Sequence, residues 1–258
     1  MNSSDDVVLP SPSELGVISH IAAETVAVSS KVVAAGSSVV LIKDPQQPIQ
    51  QPDGVIIMTS QPAGFAVAEP AGFSLVDDGD DLSNSDVPVY RALADRYTMP
   101  ALGFRTTLTR SAQKRWMNGE LEEALLLSIM SGLGRIADKM LLYAIIAETP
   151  AAFSIGAAAA RGLRINDLRA LVGTAGSGAS FRADGQLVAA GISAELTDCI
   201  TQTVVGDWSR AAVGLMEDIT LVATRANSFE GSMSVTCFAN CQALLPVTDS
   251  LLPFWTVS

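Results

Sequence analysis

Val204-Val205-Gly206-Asp207-Trp208-Ser209-Arg210-Ala211-Ala212-Val213-Gly214-Leu215-Met216-Glu217-Asp218-Ile219-Thr220-Leu221 sets a Gly-Asp-Trp turn before an apolar run. Phe229-Glu230-Gly231 follows it, and then Ser232 to Ala239, where polar and apolar residues alternate as in a half-buried strand. Ile219 to Thr224 is β-prone, and Asn227 to Gly231 forms the turn between these two strands. Further on stand Cys241-Gln242-Ala243-Leu244-Leu245-Pro246-Val247 and Leu251-Leu252-Pro253-Phe254-Trp255.

Working outward, the clearest element is a helix over 118–147. Asn118 can cap it, and Glu120, Glu122 and Glu123 place acids in a first turn where the helix dipole favours them. Leu121, Leu125, Ile129, Leu133, Ile136, Met140, Tyr143 and Ala147 recur at steps of three or four, tracing one face. Thr149-Pro150 ends it. Gly132 and Gly134 bend the helix or admit a close neighbour. Between this helix and the quoted stretch, 150–203 mixes short elements with loops. Ser154 to Leu163 is alanine-rich and helix-prone, Ile165 to Val172 reads as a short helix or strand, and Gly173-Thr174-Ala175-Gly176-Ser177-Gly178 reads as a flexible loop.

The upstream third is different in kind. Ser38-Val39-Val40-Leu41-Ile42 and Val55-Ile56-Ile57-Met58 are β-prone, and the turn-rich stretch between them closes on Pro52-Asp53-Gly54. That pattern predicts a long two-stranded projection with a polar tip. Residues 61–89 add Pro62, Gly64, Pro70 and Gly72 and the acids Asp77, Asp78, Asp80, Asp81 and Asp86. So many breakers build no interior, and an isolated ribbon is marginal in water, so this region needs a partner to lie on. Residues 1–36, opening polar and carrying Pro10, Pro12 and a short amphipathic piece from Glu14 to Val28, read as an arm.

Composition narrows the function. The 258 residues carry 16 basic and 27 acidic side chains, the opposite of the basic surplus that grips phosphates. Residues 1–90 hold only Lys31 and Lys43 against twelve carboxylates, a net of −10, and the remainder is nearly neutral at −1. This acidity serves solubility, or an arm that meets Arg-bearing surfaces of neighbouring subunits. Cys199, Cys237 and Cys241 form no disulfide framework; the last two, in a strand running into a turn, read as core fillers. There is no secretory signal and no uninterrupted apolar span, so a soluble intracellular product without membrane contact is expected.

Chemistry is sparse. The single histidine, His20, lies in the arm, a poor place for a base that must be held beside a nucleophile. One His and three scattered Cys offer no metal cluster, so no metal and no cofactor are expected. The glycines of 173–178 fit neither the dinucleotide fingerprint nor a Walker loop. Glu122 with Glu123, and Glu217 with Asp218, are adjacent and do not face each other, so they form no acid/base pair. No catalytic residue is nominated.

The block from Val204 to Val247 resembles the C-terminal block of tailed-bacteriophage major capsid proteins of the Hong Kong 97-like fold. The marks are the Gly206-Asp207-Trp208 turn leading into a strand, the loop with Phe229, one more strand, and a closing run toward Pro246. The order upstream also fits. The resemblance implies an α+β fold: an N-terminal arm (1–36), an extended β-hairpin E-loop (37–90), a peripheral domain (91–149 and 204–258) with its spine helix (118–147), and an axial domain (150–203). Gly173, Gly176 and Gly178 would then be axial-loop residues near the symmetry axes. Asp77, Asp78, Asp80 and Asp81 of the E-loop would meet Arg110, Lys114 and Arg115 of a neighbour. Where many relatives carry an Arg, this chain has Glu217, so that intersubunit salt bridge is not carried over. Some relatives lock the shell by a Lys–Asn isopeptide bond; Lys43 and Asn227 are the nearest counterparts, but the match around Asn227 is not close and no bond is expected.

On this resemblance the protein is a major capsid protein that self-assembles into hexamers and pentamers of an icosahedral shell. Its partners are other copies of itself, with portal, scaffolding and decoration proteins. Double-stranded DNA is enclosed without sequence-specific binding, and the shell is assembled in the host bacterial cytoplasm and found in the virion. The alternatives are an encapsulin-type compartment of the same fold and an α/β enzyme that holds a phosphorylated ligand at the glycine loop.

Overall fold

A computed structural model describes residues 24, 26–42, 47–50, 56–59, 63–79, 81, 84–115, 120–217, 219–225, 231–246 and 252–257. His20, Lys43, Asp80, Asn118, Asp218 and Asn227, and most of the expected arm, lie outside these residues.

The first layer is a five-stranded sheet built on the strand Met233–Leu244. Its alternation places Val235, Cys237, Ala239 and Cys241 inward, each buried, while Phe238 faces out. The strand runs on through Leu244, so the turn expected at Cys241 is absent; Cys237 and Cys241 are both buried core residues. Ala101–Leu108 and Thr220–Arg225 pair antiparallel with the same residues of this strand and so flank it on opposite sides. Ala212–Met216 pairs antiparallel with its last four residues and carries Ser38–Ile42 parallel on its other side.

That parallel strand corrects the expected ribbon. Ser38–Ile42 pairs with Ala212–Met216, and the second β-prone run, Ile56–Thr59, pairs instead with Gln47–Gln50. Both runs are apolar and β-branched, but Ile42 is buried beside Ala212 and Leu244, an interior that no free ribbon offers. A second ribbon joins Gly64–Ala68 to Val89–Leu93.

The spine helix, Glu120–Ala147, is about 42 Å long at the helical rise of ~1.5 Å per residue. It lies on the five-stranded sheet through Leu133, Ala137, Leu141 and Ile145, spaced one turn apart and all buried. The expected stripe drifts away from this line after Leu133: Ile136 and Met140 are half-buried and Tyr143 is exposed. The helix is apolar almost all round there, so periodicity alone did not select the face. Gly134 lets the N-terminal segment in close, since a Cβ on it would collide with Ser29. The helix is unbroken at both glycines.

The second layer is a six-stranded sheet in the order Phe254–Val257, Thr203–Gly206, Arg169–Val172, Ile192–Leu196, Leu187–Ala189, Ala179–Phe181. The short helix Ile155–Ala160, capped by Ser154 (Ala157 N to Ser154 Oγ, 3.1 Å), packs on it through Ala158. The boundary expected at 203/204 runs through this sheet, because Thr203–Gly206 and Phe254–Val257 are its strands. The α+β class that the resemblance implies stands, with a long helix on one sheet beside a second, six-stranded sheet.

Candidate assembly surfaces

The quoted stretch turns out to be the joint between the two sheets. Gly206 ends a strand of the six-stranded sheet and Ala212 begins one of the five-stranded sheet. Between them Asp207 caps the 3-10 turn Trp208–Arg210, its carboxylate accepting from Ser209 N (3.1 Å), Ser209 Oγ (2.7 Å) and Arg210 Nε (3.3 Å). Trp208 is fully buried, donates from its indole nitrogen to Arg169 O at 3.0 Å, and meets Phe254 edge-on with ring centroids 5.1 Å apart. Gly206 is needed because a Cβ would strike the Phe254 ring and stand 2.7 Å from Pro253 O. Arg210 also pairs with Glu69, both largely buried, and thereby ties the base of the second ribbon to the joint.

A second anchoring point was not foreseen. Asp138 is buried in the spine helix and accepts from Ser30 Oγ (2.6 Å), Val32 N (3.0 Å) and Lys31 N (3.0 Å). The two amides are orphan donors at the start of the short helix Lys31–Ala34, where Ser30 Oγ also accepts from Val33 N at 3.3 Å. Val26 and Val32 are buried in the main core, so residues from 26 onward belong to the body and not to a free arm. A lone acid on the apolar face of a helix was the available signal, because a buried carboxylate must find donors.

Between the paired strands Gly64–Ala68 and Val89–Leu93, the described residues 70–79, 81 and 84–87 are all exposed. Phe73 is 98% exposed and Leu75 fully so, with Val87 exposed beyond them. Asp77, Asp78 and Asp81 lie exposed on this strap, and Asp80 falls outside the described residues. Arg110, Lys114 and Arg115 are exposed on the helix Arg110–Arg115. Among the described residues no ion pair joins Asp77 or Asp78 to these three cations within the chain.

The glycine loop is pinned, not flexible. Thr174 N and Ala175 N donate to Ile200 O (2.9 Å) and Thr201 O (3.0 Å), and Thr203 Oγ1 donates to Ser177 O (2.8 Å). Gly173 lies against the backbone of 200–202, where a Cβ would be 2.6 Å from Ile200 O, and a Cβ on Gly178 would strike Val257. Gly176, at φ +66°, has open space. Local composition suggested mobility; contact with a loop some 25 residues away removes it.

Among the described residues there is no group of three His, Cys, Asp or Glu placed to hold a metal ion, and no helix long and apolar enough to cross a membrane. Burial raises the thiols of Cys199, Cys237 and Cys241 above the usual range, Cys241 to about 12, so none is poised as a thiolate nucleophile.

No family model matches the sequence, and no curated protein is similar to it. Solved structures are similar in fold. A chain of the satellite phage P4 procapsid that includes the size determination (Sid) protein aligns with TM-score 0.54 at 9% identity, over 93% of this chain and 98% of that one. The capsid of an empty GTA particle aligns with TM-score 0.52 at 11% identity, over 100% and 94%. The bacteriophage PhiM1 mature capsid aligns with TM-score 0.50 at 12% identity, over 89% and 86%. Spine helix on a five-stranded sheet, two-stranded ribbons and a second sheet at the Asp207 joint together make the Hong Kong 97-like α+β fold, the fold of these capsid chains.

Proposed function

We propose that this chain is a major capsid protein that self-assembles into hexamers and pentamers of an icosahedral shell around double-stranded DNA. The observation that carries the reading is the strap between Ala68 and Val89, whose Phe73 and Leu75 lie bare to water in a chain whose described residues otherwise build well-buried cores. Exposed apolar side chains on a segment with no interior call for a surface supplied by another molecule. In a chain with this fold, that molecule is another copy. The role is structural and not catalytic.

In this reading the spine helix and five-stranded sheet are the peripheral domain, the six-stranded sheet is the axial domain, and residues 43–93 are the E-loop. Gly173, Gly176 and Gly178 stand near the axial contacts, and Asp77, Asp78, Asp80 and Asp81 face Arg110, Lys114 and Arg115 of a neighbour. Each exposed pair adds at most ~1 kcal/mol, so repetition over many copies supplies the stability. A net charge of −11 suits a wall that encloses DNA without adhering to it. Portal, scaffolding and decoration proteins are the expected further partners, the virion the destination and the host bacterial cytoplasm the place of assembly. Negative-stain microscopy of the expressed protein tests this. Closed shells of uniform size are expected; a monomer at high concentration, with the strap protected from protease, overturns it. Shells filled with an enzyme cargo would point to a compartment of the same fold.

A further inference from the structure

The spine helix is unevenly buried. Leu133, Ala137, Leu141 and Ile145 are buried, whereas Leu125 and Ile129 are half-buried and Leu126 is exposed. Beneath this N-terminal half run two apolar hollows that adjoin at Ile129. One is lined by residues such as Phe104 and Cys237, the other by Leu108, Leu221 and Val235. A missing side chain widens the first hollow: Gly132 lines it, and nothing stands within 4 Å of where a Cβ of Gly132 would be. The helix Arg110–Arg115 follows directly from the strand Ala101–Leu108 that forms one wall, and it presents Arg110, Lys114 and Arg115 to solvent.

The complement to this groove is in the same sequence. Phe73 and Leu75 are exposed apolar side chains, and Asp77, Asp78 and Asp81 follow within six residues. Apolar residues followed by acids match an apolar groove followed by cations. The strap does not fill the groove of its own molecule, since both apolar side chains are bare there. Glu120 and Glu123 are exposed on the first turn of the spine helix, so the cations of Arg110–Arg115 and not the groove as a whole set the polarity. Resting on the shell reading above, we propose that Phe73 and Leu75 of one copy insert between the N-terminal half of the spine helix and the sheet of a second copy, with Asp77 and Asp78 beside Arg110, Lys114 and Arg115. The apolar pair supplies affinity and the charges supply register.

Two experiments on the full chain test this. First, Phe73→Ala with Leu75→Ala removes the inserting groups without touching either core. The unfolding midpoint of the unassembled subunit should stay unchanged while the yield of shells falls at least tenfold. Second, chains carrying Leu75→Cys and chains carrying Leu126→Cys, both in a Cys199→Ser background, are co-assembled and treated with a short bismaleimide. A dimer on a denaturing gel, mapped by mass spectrometry to positions 75 and 126, is the expected product. Wild-type shell yield from the double alanine chain, or shells in which positions 75 and 126 fail to cross-link, overturns the docking while the capsid reading stands. Failure of the unsubstituted chain to form any particle overturns both.

Discussion

Replacing Asp138 tests whether the N-terminal segment is clamped to the spine helix as described. In Asp138→Ala three donors lose their acceptor: Ser30 Oγ, Val32 N and Lys31 N, at 2.6, 3.0 and 3.0 Å. Ser30 and Val32 are buried, at 1% and 0% exposure, so water cannot replace the carboxylate there. Each stranded buried donor costs ~1–3 kcal/mol, while the more exposed Lys31 amide can turn to solvent. Releasing a buried carboxylate returns part of its desolvation cost, so the net loss should be about 3 kcal/mol. Asp138→Asn keeps the oxygen that serves Ser30 and Val32 and strands only the Lys31 amide, for a loss of about 1 kcal/mol. Against the ~5–15 kcal/mol of a typical domain the alanine loss is large. Urea unfolding of the unassembled subunit, followed by tryptophan fluorescence, should place the midpoints in the order wild type, Asn, Ala with one common slope. A double cycle with Ser30→Ala should show coupling, because the two residues share one hydrogen bond. Equal midpoints for the Asn and Ala chains, or an Ala loss under ~1 kcal/mol, would refute the clamp.

Other perturbations address the joint, the loop and the thiols. Arg210→Ala leaves Glu69 and Asp207 largely buried without their cation and should cost about 3 kcal/mol, with protease cutting first between residues 64 and 93; cleavage at wild-type rate there would count against the Glu69 tether. Gly173→Ala should destabilise by more than ~2 kcal/mol because backbone atoms of 200–202 occupy the Cβ position, whereas Gly176→Ala should cost about 1 kcal/mol for its positive φ alone; equal losses in thermal unfolding would disprove the pinned loop. Maleimide at pH 8 should label Cys199 well before Cys237 and Cys241, and three equal rates would contradict the burial. Cys241 also links stability to pH. Its folded value lies at about 12 against an ordinary 9.0, so the unfolded chain releases this proton first. Its contribution is therefore complete below pH 9 and falls as pH rises toward 12, and Cys241→Ala should flatten that alkaline slope.

Much of the architecture could be read locally. The helix expected to end at residue 147 does so, stopped at Thr149-Pro150, and the strands near 219–224 and 232–239 are present, the second longer than its alternation suggested. What failed were pairings. Ser38–Ile42 looked like half of a ribbon, but its partner is Ala212–Met216, more than 170 residues away. Nothing in a serine followed by four β-branched or aliphatic residues encodes which apolar edge they will meet. The interface candidates were partly legible as well: the acids at 77–81 announce themselves by clustering, whereas Arg110, Lys114 and Arg115 matter only because their helix follows a strand that lines a groove.

Residue pattern alone was enough for the helix that ends at residue 147, for β character at 38–42, 56–58, 219–224 and 232–239, and for the many breakers of 61–89. These follow from periodicity, breakers and charge, which act over a few residues. Three arrangements emerge only on folding: Asp138 holds the N-terminal segment, Asp207 and Trp208 join two sheets, and residues 203–206 and 254–257 share the six-stranded one. Those arrangements depend on donors and side chains brought together from distant positions, and their energy exists only once the chain has closed around them.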